Sequence, residues 1–303
     1  MSSPAVRLAV RRDVPIAVGI LALLAVVLSS CGSKTPSSVE SPVASQPHAR
    51  IEFAPGLTED LYLPEGVSRA PLVVLVPGGG WQTADPSGLA PLAASLADAG
   101  IAAAPTHIRA AEDGVVYPVP VEDVLCAVSA AVQGARERGV TPDRVAVLGH
   151  SSGAHLAALA VLAAADYAPR CRCPVVTPDA LIGLSGPYDI SRIPEVAQPL
   201  LGDAPDADPE VWASANPLER AHLRPQVPVL LLHGEADLTV PSDFTTQFAR
   251  VLEDAGHPTT VRLLPDADHQ TVYSAAVASG PVAAWLSALP AEPTARPSGQ
   301  VCR

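Results

Sequence analysis

"VAVLGHSSGAHLAALAVLAAA" spans Val145 to Ala165. Its first residues, Val145 to Leu148, are continuously apolar and β-branched at alternate positions, which predicts a buried strand. Its last residues, His155 to Ala165, are rich in Ala and Leu and read as a helix that runs on toward Pro169. Between them Gly149 and Gly153 frame Ser151. A serine at a strand-to-helix turn needs such glycines, because the residues two before and two after it pass close to neighbouring backbone. Gly-x-Ser-x-Gly alone is a weak signal. Whether Ser151 is an activated nucleophile or a small turn residue depends on what the rest of the chain brings to it.

From Pro71 onward, short apolar runs alternate with helical stretches. Strands are predicted at 71–77, 101–105, 144–149, 179–186, 228–234 and 259–265. Helices are predicted at about 86–99, from Pro120 to about Arg138, at 242–255 and at 271–288. The second of these carries Glu122 and Asp123 in its first turn and Arg136 and Arg138 at its end, which complements the helix dipole. Continuously apolar strands separated by helices imply an α/β architecture with a mostly parallel central sheet and helices on both faces. The Pro-rich stretch at 187–225, with Trp212, is expected to form a small cap.

In such sheets the ligand site lies beyond the carboxyl ends of the strands. Gly78, Gly79 and Gly80 follow one strand, Ser151 another, Asp237 a third and His269 the last. A serine hydroxyl is a poor nucleophile until a base accepts its proton, and that base needs an acid to hold its tautomer. Ser151, His269 and Asp237 are the candidates for these three parts, with Glu235 as a fallback acid. The backbone N–H of Ser152, at the positive end of a helix, and the loop at Gly79 and Gly80 are candidate donors to an oxyanion. Trp81, His150 and Tyr188 are candidates for lining the substrate pocket. Trp81 and His155 also fit plain packing roles.

With these residues in view, "PGGGW" (77–81), "GHSSGAHLAAL" (149–159), "HGEADLTVP" (233–241) and "DADHQT" (266–271) resemble the esterase/lipase group of the α/β-hydrolase superfamily. The carboxylesterases and the kynurenine formamidase-like hydrolases share a GHSxGAHLA segment with this chain. The resemblance covers about Pro71 to Leu289. It implies the α/β-hydrolase fold, Ser151 as nucleophile, Asp237 as acid, His269 as base, and Gly79, Gly80 and Ser152 at the oxyanion hole. "LSGPYD" (184–189) resembles a further family segment, which implies a place near the pocket for Tyr188. One departure stands out: the family's His before the glycines is Pro77 here. That removes a brace from the oxyanion loop.

Composition narrows the partners. The 303-residue chain is 48% hydrophobic with a net charge of −12, and its single lysine is Lys34. Nucleic-acid binding would need clustered basic side chains, so no nucleic-acid partner is expected. Arg7, Arg11 and Arg12 precede an uncharged apolar run from Val14 to Leu28, which reads as a signal peptide over 1–30. "LSSC" (28–31) resembles the bacterial lipobox, which implies a lipid on Cys31 and a place on the outer face of the cell membrane. Residues 31–50 are Ser/Pro-rich and read as a tether, 51–290 as the catalytic domain and 291–303 as a tail. Export permits disulfides. Cys302 is expected to pair with Cys171 or Cys173, and Cys126 to be a buried thiol.

The expected activity is hydrolysis of small carboxylic esters through an acyl-enzyme, with no metal and no organic cofactor. The alternatives are an amide, formamide or peptide hydrolase on the same triad, and a non-catalytic surface lipoprotein that uses the fold for binding.

Overall fold

The computed structural model describes residues 46–290 and Cys302. Cys31, the predicted signal peptide and most of the predicted tether lie outside the described residues. The described chain opens with an antiparallel pair, β1 (Ala49–Ala54) and β2 (Leu57–Leu61). β1 thus begins two residues before residue 51, the expected start of the catalytic domain. His48 is already tied in, through its N–H to the Leu61 carbonyl and its Nδ1 to the Leu63 N–H.

The central sheet follows. β3 (Arg69–Val76) leads to α1 (Ala90–Asp98) and β4 (Ala102–Pro105). Next come α2 (Val119–Glu137), β5 (Thr141–His150), α3 (Ser152–Leu162) and β6 (Ala180–Leu184). Three short helices intervene: α4 (Pro194–Leu201), α5 (Pro209–Ser214) and α6 (Pro217–Arg220). Then β7 (Val229–Gly234), α7 (Asp243–Asp254), β8 (Thr259–Leu264) and α8 (Ala275–Ala288) complete the domain. The six strands lie in the order β4-β3-β5-β6-β7-β8, all parallel.

The apolar strands are explained by what covers them. Along β5, Val145 and Val147 pack toward α2 and α3, while Ala146 and Leu148 pack toward α1 and α8. Side chains alternate across a strand, so a sheet covered on both faces needs apolar residues at both parities. α3 is apolar all round because it is buried all round. α7 has one apolar stripe, with Phe244, Phe248 and Leu252 buried.

Two disulfides staple the α2 side. Cys173 pairs with Cys302, one of the two expected partners. Cys126 is not a free thiol: it pairs with Cys171. Its helical position correctly indicated burial, but only the tertiary fold brings the 171–173 loop against that face of α2.

Candidate active site

The register of the sheet aligns the strand ends that carry chemistry. Val76 of β3 pairs with Gly149 of β5, His150 with Leu184 of β6, and Gly234 of β7 with Leu264 of β8. The residues just beyond those ends therefore converge.

Ser151 sits between β5 and α3 with φ +52° and ψ −125°. This is a costly backbone for a residue with a Cβ, and it lifts the hydroxyl clear of the sheet. The turn is held by the Ser151 N–H on the Leu184 carbonyl at 2.9 Å. Both framing glycines are required sterically. A Cβ on Gly149 would strike the Gly153 carbonyl, and one on Gly153 would strike the carbonyls of Val76 and Pro77.

His269 arrives from the loop after β8. Its Nε2 lies 3.0 Å from Ser151 Oγ and its Nδ1 2.8 Å from Asp237 Oδ2. Asp237 is buried in the loop after β7. An ionised carboxylate accepts only, so Nδ1 carries the proton and Nε2 is bare toward the serine. Asp237 Oδ1 accepts the N–H groups of Thr239 and Val240, each at 2.9 Å. Burial pushes the Asp237 carboxyl up, but the Val240 N–H and His269 bring it below its usual value. The acid is thus held ionised. Glu235, the fallback acid, takes no part in this chain of contacts.

Two histidines support this chain. The buried His233 donates from Nε2 to the Val240 carbonyl at 2.8 Å and accepts from the Thr245 hydroxyl at 2.7 Å. It fixes the turn whose N–H groups hold Asp237, and Nε2 itself lies 3.4 Å from Asp237 Oδ2. His150 donates from Nε2 to the His269 carbonyl at 2.7 Å, and its ring packs on Tyr273 with centroids 4.4 Å apart. Burial and the neighbouring His269 push its pKa down to about 4, so it is neutral at physiological pH.

The glycine loop after β3 turns inward at Gly79 (φ +145°), Gly80 (φ +60°) and Trp81 (φ +59°). A positive φ at a bulky residue such as Trp81 is rare and needs support. Its indole N–H donates to Nδ1 of His155 at 3.3 Å, and His155 Nε2 donates to the Ala215 carbonyl at 2.8 Å. Burial pushes His155 down to about 3. Each of these two side chains fits a packing role when taken alone; joined, they brace the loop that Pro77 leads.

Gly79, Gly80, Ser152, Trp81, His150, Ser151 and His269 all border one cavity of about 500 Å³. Tyr188 does not border it. The ring is fully buried against Phe248, centroids 4.3 Å apart, and fills the space over Gly183 and Gly186. The neighbouring Pro187 reaches the cavity instead. Trp212 is also away from it, buried with its indole N–H on the Asp203 carbonyl. The insertion between β6 and β7 contributes Ile193 and Val196 to the wall.

The model of the BD-FAE family matches residues 59–252, which include Ser151 and Asp237. The chain belongs to the BD-FAE family. Among similar proteins, Esterase LipQ of Mycobacterium tuberculosis is 31% identical over 232 residues, covering 72% of this chain and 54% of that one. A probable isoprenylcysteine alpha-carbonyl methylesterase, ICME, of Oryza sativa subsp. japonica is 29% identical, covering 71% and 55%. This BD-FAE chain thus spans about half the length of the curated relatives it matches. The propionate-bound esterase Est2 of Thermogutta terrifontis aligns with a TM-score of 0.62 at 24% identity, covering 76% of this chain and 87% of that one. A truncated carbohydrate esterase from gut microbiota aligns at 0.65 with 20% identity, covering 76% and 89%. These likenesses establish the α/β-hydrolase fold.

Proposed function

We propose that this chain is a serine hydrolase that cleaves small carboxylic esters through an acyl-enzyme. The observation that carries the reading is the continuous chain from Ser151 Oγ through both ring nitrogens of His269 to Asp237, bordering an open cavity. Ser151 Oγ attacks the acyl carbon as His269 Nε2 takes its proton. Asp237 holds the imidazolium that forms. The carbonyl oxygen becomes an oxyanion, for which the backbone N–H groups of Gly79, Gly80 and Ser152 are the donors. The carbon–oxygen bond breaks and His269 returns the proton to the departing alcohol. Water then repeats the sequence on the acyl-enzyme and releases the acid and Ser151.

Names among the relatives, an esterase and a methylesterase, favour an ester over the amide or formamide alternative. A panel of short acyl esters and aryl formamides separates the two. Labelling by a fluorophosphonate tests the reading as a whole. Wild-type protein takes one label at Ser151 and loses ester turnover with it. An unlabelled Ser151, or equal turnover in Ser151→Ala, returns the chain to the non-catalytic binding alternative.

We separately propose that the protein lies outside the cell, held by a lipid on Cys31. "LSSC" after a basic and then apolar run supports it. Mass spectrometry of membrane-derived protein is expected to find an N-terminus at Cys31 with a diacylglycerol-sized adduct. A soluble product starting elsewhere refutes the anchor.

A further inference from the structure

We propose that Asp85 makes this site select esters whose leaving group is cationic over those whose leaving group is anionic. The inference rests on the serine-hydrolase reading above.

The leaving oxygen must lie within reach of His269 Nε2, which returns its proton. The leaving group therefore runs along the cavity wall that continues from His269. That wall is Gln270, Tyr273, Gly88 and Asp85. Tyr273 Oη bonds Gln270 Oε1 at 3.2 Å, and a Cβ on Gly88 would lie 3.5 Å from the same Oη, so these groups are contiguous. Ile193, Val196, Val240 and Phe244 also line the cavity, and this apolar set suits an acyl chain.

Among the described residues, Asp85 is the one carboxylate bordering the cavity, and no lysine or arginine borders it. Its partners fix its direction without cancelling its charge: the Ser87 N–H at 2.9 Å and the Ser87 hydroxyl at 2.8 Å are both neutral. Those two bonds, with a smaller pull from the neighbouring His107, hold its pKa below the usual value, so it stays ionised through neutral pH. Arg50, which shares a second cavity with Asp85, pairs with both oxygens of Asp60, and Arg192, over the Phe244 ring, pairs with Asp243. That second cavity, of about 290 Å³, holds Asp60, Glu112, Arg50 and His107. Carboxylates outnumber the guanidinium there, so the negative field continues beyond Asp85.

Asp85 is exposed to water, so the effect is modest and sensitive to salt. The test uses three acetate esters of similar size: 2-(trimethylammonio)ethyl, 3,3-dimethylbutyl and 3-carboxypropyl. Each kcat/KM is divided by the ester's hydroxide-catalysed rate constant. In wild-type protein at low salt, the cationic ester is expected to exceed the anionic one by about tenfold. In Asp85→Asn, which keeps an acceptor for the Ser87 N–H, the spread is expected to fall below about threefold; it should fall likewise in wild-type protein at about 0.5 M salt. A wild-type spread that is absent, reversed, or unmoved by both the substitution and salt overturns the inference. Failure of the parent reading looks different: the neutral ester is not cleaved, or is cleaved equally by Ser151→Ala, and the inference falls with it.

Discussion

The Trp81 indole N–H and Nδ1 of His155 meet at 3.3 Å, and the far nitrogen of the same imidazole holds the Ala215 carbonyl at 2.8 Å. One buried side chain on α3 thus ties the glycine loop to the insertion that forms part of the cavity wall. In the proposed mechanism the loop's donors work only if they stay aimed at the developing oxyanion, and this contact supplies the fixation. His155→Leu leaves the indole N–H and the Ala215 carbonyl unpaired. We expect a stability loss of about 2–3 kcal/mol and a fall in kcat of about tenfold with little change in KM. Thermal melts and steady-state kinetics check both.

Asp237→Asn keeps the size of the acid but removes its charge. The amide can offer an N–H to His269 Nδ1 and so favours the wrong tautomer. A loss of about 10⁴ in kcat is expected with the fold intact. A loss below about tenfold in ester kinetics would show that another group orients His269.

His150 holds His269, the proposed base, by its backbone carbonyl. His150→Phe keeps a ring against Tyr273 but loses the bond to the His269 carbonyl. The expected result is a lower kcat, by about five- to thirtyfold, because a misplaced base costs rate more than binding. Fluorophosphonate labelling should slow by a similar factor. An unchanged labelling rate would reduce His150 to a packing residue.

Glu59 of β2 is buried, and neither carboxyl oxygen has a hydrogen-bond partner among the described residues. Burial pushes its pKa well above the usual carboxylate value. A group with a raised folded-state pKa gives its full stability below its unfolded pKa and loses it as pH rises. Glu59→Gln cannot ionise. Its stability relative to wild type should therefore improve steadily as pH rises from about 4 toward the folded pKa of Glu59. Parallel curves of denaturant midpoint against pH for the two proteins would contradict this.

Cys126 and Cys171 close a chain separation of 45 residues. Removing the bridge with paired serines is expected to cost about 4 kcal/mol by the chain-entropy relation. Equilibrium unfolding in oxidising buffer measures it.

The sequence by itself determined the α/β alternation, the strand ends where Ser151, Asp237 and His269 stand, and the glycines that the turn at Ser151 cannot do without. These were legible because they depend on local rules: side-chain parity along a strand, the room a tight turn needs, and the order of elements. The antiparallel pair at 49–61 is not legible in the same way, because its run is short and its charges, Glu52, Glu59 and Asp60, mask the alternation. Tertiary structure alone decided the rest. It turned Tyr188 into the core under Gly183 and Gly186, paired Cys126 with Cys171, and joined Trp81 to His155 across 74 residues. Such contacts form between segments distant in the chain. Their partners are fixed by how helices pack on the sheet, and nothing in either segment alone specifies the other.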